Sequence, residues 1–83
     1  MYLGYNVETK RYGVLYYDLW ENTGLHCGEP IQAQVNGYWI ETRIEYSESS
    51  KHSNGWYLVN LKGVPLERLT VKYGDERDNK IIY

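Results

Sequence analysis

Eighty-three residues are enough for one domain and too few for a large core, so this chain must bury its apolar surface economically. A formal net charge of −2 argues against electrostatic binding of nucleic acid over a broad face, and the single cysteine, Cys27, excludes an intrachain disulfide. Ten tyrosines and three tryptophans with no phenylalanine supply large contact areas that keep a polar handle.

Residues 2–16 read as a hairpin. Leu3, Tyr5 and Val7 alternate on one side, and Tyr12, Val14 and Tyr16 repeat the pattern after a break. A four-residue turn over residues 8–11 would pair Val7 with Tyr12, Tyr5 with Val14 and Leu3 with Tyr16, all on the core face. Gly4 and Gly13 then fall on the opposite face, where a missing side chain permits strong coiling or the close approach of another strand. Residues 18–29 (DLWENTGLHCGE) break the alternation and read as a loop anchored by Leu19, Trp20 and Leu25.

Residues 30–46 (PIQAQVNGYWIETRIEY) carry the strongest local signal. Asn36-Gly37 is the pair that a two-residue type I′ turn demands, since both positions need positive φ. Register follows: Val35 opposes Tyr38, Ala33 opposes Ile40, and Ile31 opposes Thr42. Ile31, Ala33, Val35, Tyr38, Ile40, Thr42, Ile44 and Tyr46 form the core face. Gln32, Gln34, Trp39, Glu41, Arg43 and Glu45 form the polar one, so a tryptophan stands among polar residues.

Residues 47–54 (SESSKHSN) are polar and read as a mobile connection. Residues 56–59 form a short strand expected to pair antiparallel with residues 43–46. Residues 64–69 suit one turn of 3-10 helix opened by Pro65, with Leu66 and Leu69 in the core. Residues 70–73 close the sheet. Residues 74–80 are charged and read as a loose tail, yet the tail ends in Ile81-Ile82-Tyr83. The expectation is therefore a single all-β domain over residues 1–73 with a C-terminal tail, 74–83. Its architecture would be a small SH3-like or Tudor-like barrel of five to six short antiparallel strands with one 3-10 turn. An open, strongly bent sheet of the same strands is the alternative.

Four stretches, RYGVLYYDLWENTGLHCGE (residues 11–29), GYWIETRIEYS (37–47), GWYLV (55–59) and GVPLERLTVKY (63–73), resemble a family of small proteins of Gram-positive bacteria and their mobile elements. That family is defined as a domain of unknown function. The resemblance implies one domain up to residue 73 and a bacterial or phage setting. It carries over no catalytic residue.

No chemistry is written clearly in the chain. His26 and Cys27 are adjacent, so in an extended segment they point to opposite sides and cannot readily share a proton. Zinc would need further ligands, and only His52 and carboxylates remain. A packed cysteine beside a loop histidine is the simpler reading. Glu41 and Glu45 lie two pleats apart, roughly 13 Å at about 3.3 Å per residue, farther than the roughly 10 Å limit of paired catalytic carboxylates. No catalytic residue, metal site or cofactor is expected, and the chain reads as a non-enzyme.

Trp39 carries the sharpest functional signal. Either the long loop or the apolar tail folds over it, or it is the centre of a contact surface rimmed by Gln34, Glu41, Arg43 and Glu45. The second reading makes the chain a protein-binding module. In a mobile-element setting this would be an inhibitor of a host defence nuclease, as anti-CRISPR proteins are. The alternative is a nucleic-acid-binding accessory barrel, for which Lys10 and Arg11 at the first turn and Lys51 and His52 in the polar connection form a basic rim only across two loops. A free apolar tail also allows a homodimer by strand addition beside the monomer. With no disulfide, no leader pattern and no long apolar run, a soluble, unprocessed, cytoplasmic protein is expected.

Overall fold

The computed structural model of the chain describes residues 1–50 and 53–73. Lys51, His52 and the tail, residues 74–83, lie outside the described residues, and with them the expectations of a basic rim on the polar connection and of dimerisation through the tail. The fold is all-β. Among the described residues, seven strands form two antiparallel sheets: β1 (Tyr2–Asn6), β2 (Arg11–Tyr16) and β3 (Leu19–Asn22) in the first, and β4 (Pro30–Val35), β5 (Tyr38–Tyr46), β6 (Trp56–Leu58) and β7 (Val71–Lys72) in the second. The second sheet runs in the order β6-β5-β4-β7.

The segment around β7 joins the sheets. Its backbone bonds β4 on one side, through Gln34 N–H to the Thr70 carbonyl at 2.9 Å, and the first strand on the other, through Leu3 N–H to Leu69 and Val71 N–H to Met1, both at 2.9 Å. Leu3, Tyr12, Val14, Leu25, Ile31, Ala33, Ile44, Trp56, Leu58, Leu66 and Val71 fill the space enclosed. These come from both sheets and from both connecting segments, so the core is one unit.

The β4–β5 hairpin has the register that Asn-Gly dictates. Asn36 and Gly37 stand at φ 53° and 84°, and Val35 opposes Tyr38, Ala33 opposes Ile40 and Ile31 opposes Thr42. The core face is buried along its middle, and Thr42 there donates its hydroxyl to the Val59 carbonyl at 2.8 Å. Its two ends are not buried: Tyr38 sits at the hairpin tip and Tyr46 at the far end of the longest strand, and both are exposed. β6 pairs with the end of β5 as expected, Ile44 opposing Leu58 and Tyr46 opposing Trp56.

The N-terminal hairpin is slipped by two residues from the expected pairing. Tyr5 opposes Tyr12 and Leu3 opposes Val14, so the faces are kept but Val7 leaves the strand and is exposed, as is Tyr16. Asn6 causes the slip. Its side-chain oxygen accepts from Glu8 N–H at 2.9 Å and its carbonyl from Lys10 N–H at 2.8 Å, which closes the turn one residue earlier, with Lys10 in the left-handed region.

Residues 19–22, expected within a loop, form a strand. Tyr17 and Asp18 make a two-residue turn with φ 53° and 63°, and β3 returns along β2 with Tyr16 opposing Leu19 and Leu15 opposing Trp20. Leu25 is fully buried, but Leu19 is exposed and anchors nothing. The glycine pair Gly4–Gly13 does admit a close neighbour: Trp20 of β3 lies over it.

Residues 64–69 do not form the expected 3-10 turn. Arg68 adopts φ 66°, its N–H bonds the Leu3 carbonyl at 2.8 Å, and Leu69 N–H closes one tight turn on Leu66. Pairing with β1 therefore replaces helical continuation. Leu66 is still fully buried. The 3-10 turn is Ser53–Gly55, at the end of the polar connection, with Asn54 at φ 57°.

Candidate functional site

The outer face of the four-stranded sheet carries the candidate contact residues Trp39, Gln34, Glu41, Arg43 and Glu45. Strand alternation alone puts Trp39, Glu41, Arg43 and Glu45 in one file along β5, and pairing places Gln34 beside Trp39 and Gln32 beside Glu41. Arg43 and Glu45 are a loose ion pair, Nε to Oε2 at 3.6 Å. Solvent reaches both partners, so the pair orients the two side chains more than it stabilises the fold.

Trp39 is 39% exposed on this face. One cation accompanies it: Lys72 of β7 holds its ammonium 4.3 Å from the centre of the indole ring. Lys72 opposes Gln32 across the β4–β7 ladder, which puts its side chain on the outer face one row from Trp39. Sequence reasoning missed Lys72, although the alternation Val71 in, Lys72 out was readable. What was not readable was that β7 pairs with β4. At the other edge Tyr57 opposes Glu45, with the Lys62 ammonium 5.1 Å from its ring centre. The face thus carries two aromatic rings with a lysine over each, Trp39 near the hairpin turn of β5 and Tyr57 on the edge strand β6, with Glu41, Arg43 and Glu45 along β5 between them.

Nothing in this arrangement places a nucleophile against a base. No group of three or more His, Cys, Asp or Glu residues able to hold a metal occurs among the described residues. Cys27, expected to be packed, is exposed, because residues 26–29 close a turn in which His26 N–H bonds the Glu29 carboxylate at 2.9 Å and Glu29 N–H bonds the His26 carbonyl. The inward position of that segment belongs to Leu25.

The same Glu29 serves as a structural latch. Tyr73 donates its hydroxyl to Glu29 Oε2 at 2.8 Å and accepts from Asn22 Nδ2 at 2.6 Å, so β3, the start of β4 and the end of β7 meet at one oxygen. Burial, reinforced by the bond to the Glu29 carboxylate, pushes the Tyr73 hydroxyl above its ordinary pKa. Burial raises Tyr12 likewise, and at the surface the bond from the Tyr2 hydroxyl to the Asp18 carboxylate raises Tyr2.

Comparison with known families decides what the chain is related to. Residues 1–73 match the model of the domain of unknown function DUF5348. The chain belongs to the DUF5348 family. The DUF5348 fold seen here is similar to the crystal structure of a protein from Ruminococcus gnavus, with a TM-score of 0.67 and 35% identity over 86% of this chain and 94% of that one. No curated protein matches the chain. No helix among the described residues is long and apolar enough to cross a membrane.

Proposed function

We propose that this DUF5348 chain is a non-enzymatic protein-binding module that presents the outer face of its four-stranded sheet, with Trp39 at the centre. The observation that carries this reading is a tryptophan 39% exposed on the outer sheet face, one row from the hairpin turn, beside Gln34 and in file with Glu41, Arg43 and Glu45. A part-exposed tryptophan surrounded by polar side chains is the composition of an interface centre with its rim. Backbone pairing holds the β5 file in register, so a partner meets a preformed surface and little ordering entropy is lost on contact. The Lys72 ammonium that now stacks on the ring can swing aside or bridge to a partner carboxylate.

A narrower form of the same reading follows the resemblance to mobile-element proteins of Gram-positive bacteria. There the module is a small SH3-like domain acting in the cytoplasm as an inhibitor of a host defence nuclease, of the anti-CRISPR kind. Glu41 and Glu45, in file with Trp39 along β5, fit a basic groove on such a target. Duplex or single-stranded nucleic acid does not suit this face, because the carboxylates lie in the same file as its one arginine.

The test is capture of host proteins on the immobilised full chain, wild type against Trp39→Ala. A partner retained by the wild type and lost at least about tenfold by the variant supports the reading, as expected for a hot spot. Equal retention by a variant with unchanged circular dichroism removes it.

A further inference from the structure

A second surface, on the side of the molecule where β2 meets the end of β5, has different chemistry. A cleft of about 450 Å³ opens between Tyr5, Lys10, Arg11, Cys27, Tyr46 and Trp56. Its size lies within the roughly 300 to 1,000 Å³ of small-ligand sites. No carboxylate lines it among the described residues, although the chain as a whole is acidic. Three aromatic rings and two cations converge there from segments far apart in sequence.

The parts are held in place. Trp56 forms the floor: it is 6% exposed, and its Nε1 donates to the Lys10 carbonyl at 3.3 Å, which ties the first turn to β6. Arg11 lies with its guanidinium carbon 5.6 Å from the Trp56 ring centre and donates Nη1 to the Leu25 carbonyl at 3.1 Å. That bond uses one of its five donors. Tyr46 leans on Trp56 with ring centres 5.2 Å apart and on Gly55, where any Cβ would meet its ring. It is nevertheless 48% exposed, so an aromatic surface remains turned outward beside an exposed lysine and a fixed arginine.

We propose that this cleft binds a nucleotide, with the base against Tyr46 and a phosphate neutralised by Lys10 and Arg11. The pairing of an aromatic platform with two cations is what planar, anionic ligands require. An apolar peptide would leave both cations desolvated without a partner, and a simple anion would make no use of Tyr46. The proposal is independent of the Trp39 face, from which it differs in the strands that build it.

The sole cysteine provides the readout. Cys27 is exposed on the cleft wall, so an occupant slows its alkylation by N-ethylmaleimide. The probes are a fluorescein-labelled thymidine hexanucleotide, followed by anisotropy, and thymidine monophosphate, followed by Cys27 protection. With two cations on phosphate, hexanucleotide affinity should fall about sevenfold between about 50 and 200 mM salt, a log–log slope near 1.4 for a single strand. Lys10→Gly keeps the left-handed backbone of the turn and should halve that slope to about 0.7. Tyr46→Ala should weaken binding about tenfold, and Trp39→Ala should not change it. Protection of Cys27 by the mononucleotide identifies a free nucleotide as the ligand, and protection by the hexanucleotide alone identifies a strand. No anisotropy change and no protection at low salt overturns the proposal, as does a slope that Lys10→Gly leaves unaltered.

Discussion

Replacing Gly13 with alanine should cost about 2 to 4 kcal/mol, and the reason is local. A Cβ there would overlap the carbonyl oxygen of Asn22, lie 2.8 Å from Trp20 Cζ3 and 3.1 Å from the carbonyl carbon of Thr23. A side chain could turn away, but two of these neighbours are backbone, so β3 itself must lift off β2. Trp20 is 40% exposed, which leaves roughly 150 Å² of its side chain covered. Complete loss of that cover costs about 4 kcal/mol at about 25 cal/mol per Å², an upper value, and partial displacement roughly half. A domain of this size has roughly 4 to 12 kcal/mol in total. Thermal and urea unfolding by circular dichroism should show the midpoint temperature of Gly13→Ala at least about 8 °C below wild type. Gly63, where an added Cβ meets nothing within 4 Å, is the control. A Gly13→Ala melt indistinguishable from that of Gly63→Ala would refute the packing of Trp20 over the glycine pair.

Two further outcomes follow from the hydroxyl groups of threonine and tyrosine. Thr42→Val keeps the shape of the core but leaves the Val59 carbonyl without its 2.8 Å donor, so the urea midpoint should fall by the equivalent of about 1 to 3 kcal/mol at constant m-value. Tyr12, Tyr73 and Tyr2 are each held above the ordinary tyrosine value of 10.0. A proton retained in the folded state above its unfolded pKa gives stability that is complete below pH 10 and is lost as pH rises through the raised value. Stability should therefore be level approaching pH 10 and drop above it. Tyr73→Phe should reduce that alkaline dependence, and an unchanged pH profile would contradict the latch at Glu29.

The parts of the fold that could be read from the chain are those whose instructions are local. Asn36-Gly37 carries its own backbone preference, so the β4–β5 register and the outward position of Trp39 follow from two residues and the period of a strand. The Tyr17–Asp18 turn has no such signature. It needs positive φ at a tyrosine, and the Tyr2 hydroxyl, from the neighbouring strand, bonds the Asp18 side chain across it. Propensity for a loop was thus overridden by tertiary contact, and β3 was invisible. The two-residue slip of the first hairpin has a smaller cause, a side chain of Asn6 that closes the turn early.

The candidate sites divide in the same way. Of the five candidate residues Gln34, Trp39, Glu41, Arg43 and Glu45, four lie on one strand, so the sequence presents them together. Lys72 joins them only because β7 pairs with β4, a contact separated by some forty residues. The cleft draws on β1, the first turn, the start of β2, the turn before β4, the end of β5, the 3-10 turn and the start of β6. Each of its side chains looks ordinary in its own segment. Lys10 and Arg11 were visible as a basic pair, but their convergence with Tyr46 and Trp56 is a product of the fold.

The central claim is that the Trp39 face is open to a partner in the full 83-residue chain. Its most direct test uses the three indole N–H signals of the ¹⁵N-labelled protein and a soluble paramagnetic agent. Trp56, 6% exposed with its N–H bonded to Lys10, should stay sharp, while Trp39 at 39% and Trp20 at 40% should broaden together. A Trp39 signal as protected as that of Trp56 would mean that the face is already covered, and would contradict the account.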